Sequence, residues 1–285
     1  MADLFDFAPR PDQYAVMGNP VRHSRSPRIH SLFAEQTGEN IVYTAIQVDP
    51  GGFPQAVGNF AAAGGRGLNV TVPFKQEAFE LAETRSDRAR RAGAVNTLVL
   101  GEGPIHGDNT DGVGLVRDLT QNLGLALAGR RILVMGAGGA ARGVLAPLLE
   151  AGPAAVVIAN RTPDRAVELA ARFADLGTVT GCGYADLAGA RFDLLVNATS
   201  ASLQGDLPPL PDGLLAPDAA AYDMMYGTEP TPFMVWARAH GAAVVSDGLG
   251  MLVEQAAESF HVWRGVRPDA PAVIAQLRAE MAQGA

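Results

Sequence analysis

The chain has few of the residues that build metal centres, disulfides or nucleic-acid surfaces. Its single cysteine, Cys182, allows no internal disulfide and no thiolate zinc cluster. Its five histidines show no metal-binding spacing, so we expect no metal site. The formal net charge is −8 and there is no basic run, which argues against a nucleic-acid partner.

Long apolar runs and targeting signals are also missing from the sequence. No apolar stretch reaches the length that spans a bilayer, so we expect no membrane partner. The N-terminal sequence MADLFDFAPRPDQ lacks the basic start and apolar segment of a signal peptide. These features predict a cytoplasmic protein. Its 285 residues, 48% of them apolar, are enough for one large or two ordinary domains, in a monomer or a homodimer.

Lysine is the scarcest charged residue. Of the 22 lysines and arginines only Lys75 is a lysine, at the end of the stretch GLNVTVPFK. The two side chains are nearly interchangeable on a surface, but only the ammonium is compact and able to release a proton. The retained lysine therefore indicates a site that needs this group, unless its survival in an arginine-rich chain is chance.

The neighbours of Lys75 favour a site. Apolar and polar residues alternate along GLNVTVPF, which predicts a strand with one buried face that includes Val72. Pro73 should end the strand and begin a helix. Asn69, Thr71 and Lys75 then share the other face near the strand's end, as in a site for a polar ligand. An edge strand with one face in solvent is the alternative.

The rest of the chain alternates predicted strands and helices, which predicts an α/β fold. The predicted strands are YAVMG, IVYTAIQV, RILVM, AVVIA, FDLLVNATS and AAAYDMMY, and AVNTLVL with the turn GEGP predicts a hairpin. Helices are predicted at PRIHSLFAEQTG, closed by Gly38, and at VLAPLLEAG, where Pro147 is an awkward interior residue. Thr162 should cap a helix that starts at Pro163. The last segment, AAVVSDGLGMLVEQAAESFHVW, predicts a strand, a glycine turn and a long helix.

The clearest motif is the turn GAGGAARG between the strand RILVM and a helix. Its spacing, Gly136-x-Gly138-x-x-Ala141, fits the dinucleotide fingerprint, whose small residues permit a tight turn, close approach of a pyrophosphate and helix packing. The free N–H groups at the start of the helix suit phosphates. The motif alone is weak, but its place in a strand–turn–helix unit indicates a Rossmann-like nucleotide domain.

The next strand ends in NRTPDR, where an NAD-binding domain usually carries Asp or Glu for the ribose 2′-hydroxyl. Asn160 stands at that place, and Arg161 and Arg165 follow. Arginines suit a 2′-phosphate, which they bind through paired charge-assisted hydrogen bonds. The stretch therefore predicts NADP, against the simpler interpretation of two surface arginines that balance Asp164.

Three further stretches carry polar residues in unexpected places. Ser24 and Ser26 stand two apart before a helix, where two hydroxyls suit a carboxylate, although Ser26 alone could cap the helix. Asn96 interrupts an apolar hairpin strand. The stretch GDNTDG places four polar residues before another helix, and one of them should be its cap.

Together these motifs resemble the shikimate dehydrogenase family, whose members reduce 3-dehydroshikimate to shikimate with NADPH in aromatic amino-acid biosynthesis. The matching stretches are GNPVRHSRSPRIH, NVTVPFK, AGAVNT, GDNTDG, GAGGAARG, NRT, NATS, YDMMY and DGLGMLVEQAA, in the family's order. Ser31 stands where asparagine often follows the motif histidine, and the first dozen residues have no counterpart. The resemblance implies a substrate domain at 1–111, a Rossmann-like NADP domain at 112–247, and C-terminal helices at 248–285 that return to the first domain.

The resemblance also implies residue roles. Lys75 and Asp111 would be the catalytic pair at the reacting oxygen. Substrate would bind Ser24, Ser26 and Tyr226 through its carboxylate, and Thr71, Asn96 and Gln255 through its ring hydroxyls. NADP would bind Gly136, Ala137, Gly138, Gly139 and Ala140 through its pyrophosphate, Asn160, Arg161, Thr162 and Arg165 through its 2′-phosphate, and Thr199, Met224 and Gly248 toward its nicotinamide.

The chemistry of ketone reduction agrees with the implied pair. A hydride that arrives at a ketone leaves negative charge on oxygen, which needs a nearby donor or cation. The chain has no zinc ligand set, and none of its five tyrosines is followed four residues later by lysine. Lys75 beside Asp111 meets the need, and either of them could transfer the proton.

Three other functions remain open from the sequence. A quinate/shikimate dehydrogenase of relaxed specificity would differ by one substrate hydroxyl. A ligand sensor of the same fold would lack Lys75 or Asp111, or carry a DNA-binding segment, and neither is seen. A Rossmann reductase of another substrate would bind NADPH without turning over 3-dehydroshikimate.

Overall fold

The computed structural model describes residues 10–199, 201 and 205–283. In this part of the chain two six-stranded sheets are joined and covered by helices. The predicted domain ends at 1 and 285, most of MADLFDFAPRPDQ, and Ser200 of the NATS stretch lie outside the described residues. None of the described helices is both long and apolar enough to span a membrane.

The first sheet combines parallel strands with a hairpin. Its strands are β1 (Asp12–Gly18), β2 (Ile41–Gln47), β3 (Gly65–Val70), β4 (Thr84–Arg85), β5 (Thr97–Val99) and β6 (His106–Asp108). They lie in the order β2-β1-β3-β5-β6-β4. β1 is parallel to β2 and β3, whereas β5 is antiparallel to both β3 and β6. The predicted hairpin is confirmed, with Asn96 directly before β5.

Five helices belong to this half of the chain. They are α1 (Ser26–Thr37), α2 (Phe53–Ala62), α3 (Lys75–Leu81), α4 (Asp87–Ala92) and α5 (Asp111–Arg117), and a π-helical turn, Asp118–Asn122, continues α5. α1 ends at Gly38, whose φ of 70° is the left-handed conformation of a helix C-terminus, as predicted. Because α1, α3 and α5 begin at Ser26, Lys75 and Asp111, three predicted site residues lie at helix N-termini.

The second sheet is fully parallel. Its strands are β7 (Arg131–Met135), β8 (Ala155–Ala159), β9 (Val179–Cys182), β10 (Phe192–Asn197), β11 (Leu215–Asp223) and β12 (Val244–Ser246), and its helices are α6 (Gly139–Glu150), α7 (Pro163–Ala171) and α8 (Pro232–Ala239). The order β12-β11-β10-β7-β8-β9 is that of the doubly wound dinucleotide fold. The predicted Rossmann-like domain is confirmed.

Both faces of the second sheet are covered. On β7, Ile132 and Val134 pack into one buried cluster while Leu133 and Met135 pack into another. A strand buried on two faces needs an apolar run rather than an alternating pattern, which is the composition of RILVM and AVVIA.

The C-terminal helices α9 (Leu249–Arg264) and α10 (Ala270–Gln283) pack beside the first sheet's helices. Leu32 and Phe33 of α1 share a buried cluster with Val253 and Phe260 of α9 and with Leu277 of α10. α9 also packs along α5. The chain therefore passes through the second sheet and returns to α1, while the residue bounds of the three segments stay a prediction.

The prediction for GLNVTVPF is wrong at its end. β3 stops at Val70, and the next four residues turn, with the N–H of Phe74 donating to the carbonyl of Thr71 (3.0 Å). Val72 is 63% exposed because this turn breaks the two-residue alternation. Pro73 consequently lies in the turn, two residues before α3.

One helix cap differs from the predictions. Thr162 occupies the position before α7 but makes no capping hydrogen bond with its side chain. Before α5, Thr110 makes no such bond either, but Asn109 Oδ1 accepts the N–H of Asp111 (3.2 Å), so one polar residue of GDNTDG does bond an amide of the helix. Pro147 lies within the continuous helix α6.

Candidate active site

One cavity of about 340 Å³ collects residues from both halves of the chain. Its walls include the following predicted site residues: Ser24, Ser26, Thr71, Lys75, Asn96, Asp111, Met224, Tyr226, Gly248 and Gln255. The eight predicted substrate and catalytic residues are therefore together. The glycine turn, Asn160, Arg161, Thr162, Arg165 and Thr199 do not line this cavity.

Lys75 and Asp111 form an ion pair inside this cavity. Lys75 Nζ lies 2.5 Å from Asp111 Oδ2, with 30% and 13% of the two side chains exposed. α3 begins at Lys75 and α5 at Asp111, so each charge is fixed at the first turn of a helix. Asp111 Oδ2 also lies against the backbone of Gly143, 3.5 Å from where a Cβ would stand. The pair thus borders the helix that follows the glycine turn.

Asn96 fixes the second oxygen of that carboxylate. Its Nδ2 donates to Asp111 Oδ1 (2.8 Å), and its Oδ1 accepts the backbone N–H of Thr110 (2.9 Å). Because a backbone N–H only donates, the amide of Asn96 has one orientation. Gln255 Oε1 lies 3.3 Å from the same Nδ2. Asp111 is therefore held on one side by an ammonium and on the other by an amide.

Arg88 anchors the strand that precedes this carboxylate. Its guanidinium contacts both oxygens of Asp108 (2.7 and 2.5 Å) and also Glu258 of α9 (2.9 Å). Burial alone would raise the pKa of Asp108, but the hydrogen bonds and charge of Arg88 hold it below the ordinary value. The GDNTDG stretch is thus tied to both α4 and α9.

The two serines lie at the N-terminus of α1. Ser24 Oγ accepts the N–H of Ser26 (3.2 Å), so Ser24, rather than Ser26, satisfies a free amide of the helix. Tyr226 lies across the cavity, and burial raises the pKa of its hydroxyl while the charge of Arg25 opposes this. Three hydroxyls near a helix N-terminus suit a carboxylate.

At the base of the cavity lies a layer of buried polar side chains, of which the sequence had singled out Asn69 but not Tyr43 or Ser259. Asn69 is 6% exposed and donates to Ser259 Oγ (2.9 Å) and Thr97 Oγ1 (3.2 Å), while Tyr43 donates to its Oδ1 (2.7 Å). Asn69 therefore borders the cavity with an amide that is already hydrogen-bonded to other protein groups. Ser259 Oγ also lies 3.2 Å from Thr110 Oγ1. The signal available in sequence was a serine within the apolar face of a long helix.

The glycine turn lies at the point where the strand order of the second sheet reverses. Gly136 has a φ of 104°, and a Cβ there would lie 3.1 Å from Thr199 Cγ2, so β7 and β10 end side by side. At Gly138 and Gly139 a Cβ would meet nothing within 4 Å, so the backbone is open to a ligand. No side chain caps α6, which leaves its first amides free for phosphate. These residues fit the pyrophosphate of a dinucleotide.

The NRTPDR stretch follows β8. Asn160 Nδ2 donates to the carbonyl of Thr162 (2.9 Å), which holds the turn. Arg161 is exposed, whereas Arg165 lines a second, smaller cavity that also includes Ala137 of the glycine turn. On the other side of the turn, Met224 and Gly248 line the large cavity, and a Cβ on Gly248 would lie 2.2 Å from the carbonyl of Met224.

Two α/β units around a polar cavity, one of them with an open glycine turn at its topological switch point, define the class of dinucleotide-dependent oxidoreductases. Family models extend this assignment. The shikimate dehydrogenase substrate binding domain matches residues 16–98, the shikimate/quinate 5-dehydrogenase model matches 118–204, and the shikimate 5′-dehydrogenase C-terminal domain matches 248–278.

Individual relatives agree over nearly the whole chain. An NADP(+)-dependent shikimate dehydrogenase of Alkalilimnicola ehrlichii is 62% identical over 94% of this chain and 99% of its own. The crystal structure of an Ael1 enzyme from Pseudomonas putida is 49% identical, with a TM-score of 0.88 over 93% of this chain and 98% of that one. A Thermus thermophilus shikimate 5-dehydrogenase, solved with NADP(H) and shikimate, is 37% identical, with a TM-score of 0.83 over 95% and 99%. The chain belongs to the shikimate dehydrogenase family.

Proposed function

We propose that this chain catalyses the reversible, NADPH-dependent reduction of 3-dehydroshikimate to shikimate. The observation that carries the proposal is the Lys75–Asp111 ion pair within a cavity otherwise lined by hydroxyls and amides. Relatives at about 60% identity that carry this name support the substrate and the cofactor. The proposal includes a cytoplasmic enzyme that acts on small molecules, as a monomer or a homodimer, without a nucleic-acid partner.

The substrate-binding role of each residue follows from the polar groups that it presents to the cavity. Ser24, Ser26 and Tyr226 bind the carboxylate, because the two serines lie at the N-terminus of α1 and the hydroxyl residue Tyr226 lines the same cavity. The amides of Asn96 and Gln255 and the hydroxyl of Thr71 bind the ring hydroxyls, because they supply both donors and acceptors. A polyhydroxylated acid would thus meet a matching polar group on each side.

The catalytic roles follow the ion pair. Bound NADPH supplies the hydride to the carbonyl carbon. Lys75 donates a hydrogen bond to the carbonyl oxygen and stabilises the negative charge that develops there. Asp111, fixed by Asn96, keeps the ammonium in place, and the pair supplies the proton of the new alcohol.

The cofactor roles complete the proposal. Residues 136–140 hold the pyrophosphate, and Met224, Gly248 and Thr199 lie toward the nicotinamide. Asn160, Arg161, Thr162 and Arg165 hold the 2′-phosphate, since Asn160 stands at the end of β8 where an NAD-binding domain carries an acid. The substrate domain then spans 1–111, the NADP domain 112–247, and the C-terminal helices 248–285 complete the first domain.

Steady-state kinetics with shikimate and quinate, each against NADP and NAD, test the proposal. We expect kcat/KM to be highest for shikimate with NADP. Comparable values for quinate would replace it with a quinate/shikimate dehydrogenase of relaxed specificity. Tight NADPH binding without turnover of either acid would point to a reductase of another substrate.

A further inference from the structure

The smaller cavity lies between α6 and α7 and has a volume of about 100 Å³. It is lined by Ala137, Arg142, Arg165, Glu168, Leu169 and Arg172. A space of this size can hold a few water molecules, and therefore a phosphate group. The lining contains three arginines and one glutamate, so its formal charge is positive and complementary to that of a phosphate.

The arginines of this cavity have no carboxylate partners. Among the described residues, Arg142, Arg165 and Arg172 make neither an ion pair nor a side-chain hydrogen bond, and Arg142 Nε is buried without a partner. Burial and the charge of nearby Arg172 lower the pKa of Arg142. Arg88, beside the substrate cavity, is by contrast paired with Asp108. Arginines gathered without ion-pair partners, with a net positive charge despite Glu168, indicate a site for an anion.

The position of the cavity identifies the anion. Ala137 is the second residue of the glycine turn, and Arg165 lies in the first turn of α7, directly after β8. In a dinucleotide fold the end of this second strand faces the adenosine ribose, and a nearby arginine accommodates a 2′-phosphate. The pyrophosphate belongs instead at the free amides of α6.

We propose that Arg142 and Arg172, together with Arg165, bind the 2′-phosphate of NADP. Selectivity for this cofactor then rests on two facing helices and not on the NRTPDR stretch alone. The inference deepens the proposed function and rests on it, because it assigns further specificity-determining residues to the same cofactor site.

Binding of adenosine 2′,5′-bisphosphate and adenosine 5′-monophosphate, measured by calorimetry, tests this role without requiring turnover. The two ligands differ only in the 2′-phosphate. We expect Arg142→Gln and Arg172→Gln each to weaken binding of the bisphosphate about tenfold, because each removes a charge-assisted contact. Binding of the monophosphate should change less than about twofold. Glu168→Gln should tighten bisphosphate binding, because it removes the one negative charge of the lining.

Arg191→Gln is the matched control, because Arg191 is exposed and lies before β10, at the amino ends of the parallel strands. The glycine turn lies at their carboxyl ends. It should change neither affinity. Thermal melting of each variant, together with its retained affinity for the monophosphate, separates loss of a contact from loss of the fold. Adenosine 5′-diphosphate is a further ligand, which carries a pyrophosphate but no 2′-phosphate.

The outcomes separate the inference from the proposed function. A parent protein that binds both adenosine ligands equally would contradict the NADP-dependent function itself. A parent that prefers the bisphosphate, with variants that keep this preference, would overturn the role of Arg142 and Arg172 and leave the NRTPDR residues as the selective group. A loss as large for the diphosphate as for the bisphosphate would reassign the cavity to the pyrophosphate.

Discussion

The substrate side and the cofactor side of this molecule differ in whether their polar groups have partners within the protein. Around the large cavity, Asn69, Asn96 and Asp111 are hydrogen-bonded to other protein groups before any ligand arrives. Around the glycine turn, the described backbone is open at Gly138 and Gly139, and the arginines of the smaller cavity make no ion pair with another described residue. On the substrate side, other protein groups supply the hydrogen-bond partners. On the cofactor side, we expect the bound cofactor to supply them.

This difference follows from burial. A buried donor or acceptor without a partner costs about 1–3 kcal/mol, so the layer of amides and hydroxyls beneath the substrate cavity is internally satisfied. That satisfaction also fixes the orientation of Asn96 and of the Asp111 carboxylate, and a fixed carboxylate holds the ammonium where charge develops. Arg165 and Arg172 are exposed and stay solvated at little cost, so the cofactor side can leave them unpaired until a phosphate displaces water. Only Arg142, whose Nε is buried without a partner, carries a cost that a bound phosphate would relieve.

The largest expected effect is a loss of turnover on the substrate side without a loss of cofactor binding. Lys75→Ala should lower kcat by roughly 10²–10⁴-fold, the range of a positioned acid–base group. NADPH affinity should hardly move, because Lys75 lines the substrate cavity and not the glycine turn. Steady-state kinetics and a fluorescence titration with NADPH measure the two quantities.

Lys75→Arg is the matched variant for this test. It keeps the positive charge but adds bulk and fixes the proton, so it should restore little of the lost turnover. Turnover close to that of the parent protein would show that the sole lysine is an accident of an arginine-rich composition. A parallel loss of NADPH affinity in both variants would show that the two sides are not independent.

Local motifs made part of this arrangement predictable from sequence. The glycine turn and the missing acid at the end of β8 are each recognisable from a few consecutive residues, so the Rossmann-like domain and its preferred cofactor could be predicted. Lys75 could be singled out because it is the only lysine. That its partner is Asp111, 36 residues away, came from the family resemblance and not from spacing.

The features that the sequence did not predict depend on contacts between residues far apart along the chain. Val72 was predicted to be buried, but the turn after β3 exposes it. Ser259 hydrogen-bonds to residues more than 140 positions away, and nothing near it in sequence indicates this. Arg142 and Arg172 stand 30 positions apart and meet only because α6 and α7 pack side by side. Periodicity carries no information about such pairs.

A smaller effect should appear in binding on the substrate side. Ser24→Ala combined with Ser26→Ala should raise KM for shikimate by about 10- to 100-fold, since hydrogen bonds to a charged group contribute about 1.5–3 kcal/mol. The carboxylate does not react, so ground state and transition state should lose these bonds about equally and kcat should change little. NADP affinity serves as the internal control. A fall confined to kcat would contradict a carboxylate-binding role.

A further effect, on stability and not on activity, concerns the substrate side and its dependence on pH. His30 is fully buried in α1 and stacks on Tyr43, with ring centroids 4.1 Å apart, and Tyr43 in turn donates to Asn69. Burial lowers the pKa of His30 from 6.5 to about 3, and neither ring nitrogen has a hydrogen-bond partner among the described residues that would favour the protonated ring. The folded protein therefore keeps the ring neutral where the unfolded chain protonates it.

The sign of the pH dependence follows from this depressed pKa. Between pH 6.5 and about 3 the unfolded chain binds one more proton at His30 than the folded protein does, so stability falls as the pH falls through this window. From pH 7 to pH 5 the contribution should be about 2 kcal/mol of unfolding free energy. Urea denaturation of the parent and of His30→Gln should show it, because the variant should lose less stability over that interval. His261→Gln, at an exposed position of α9, should follow the parent. Equal losses in the parent and His30→Gln would remove His30 as the source of the acid sensitivity.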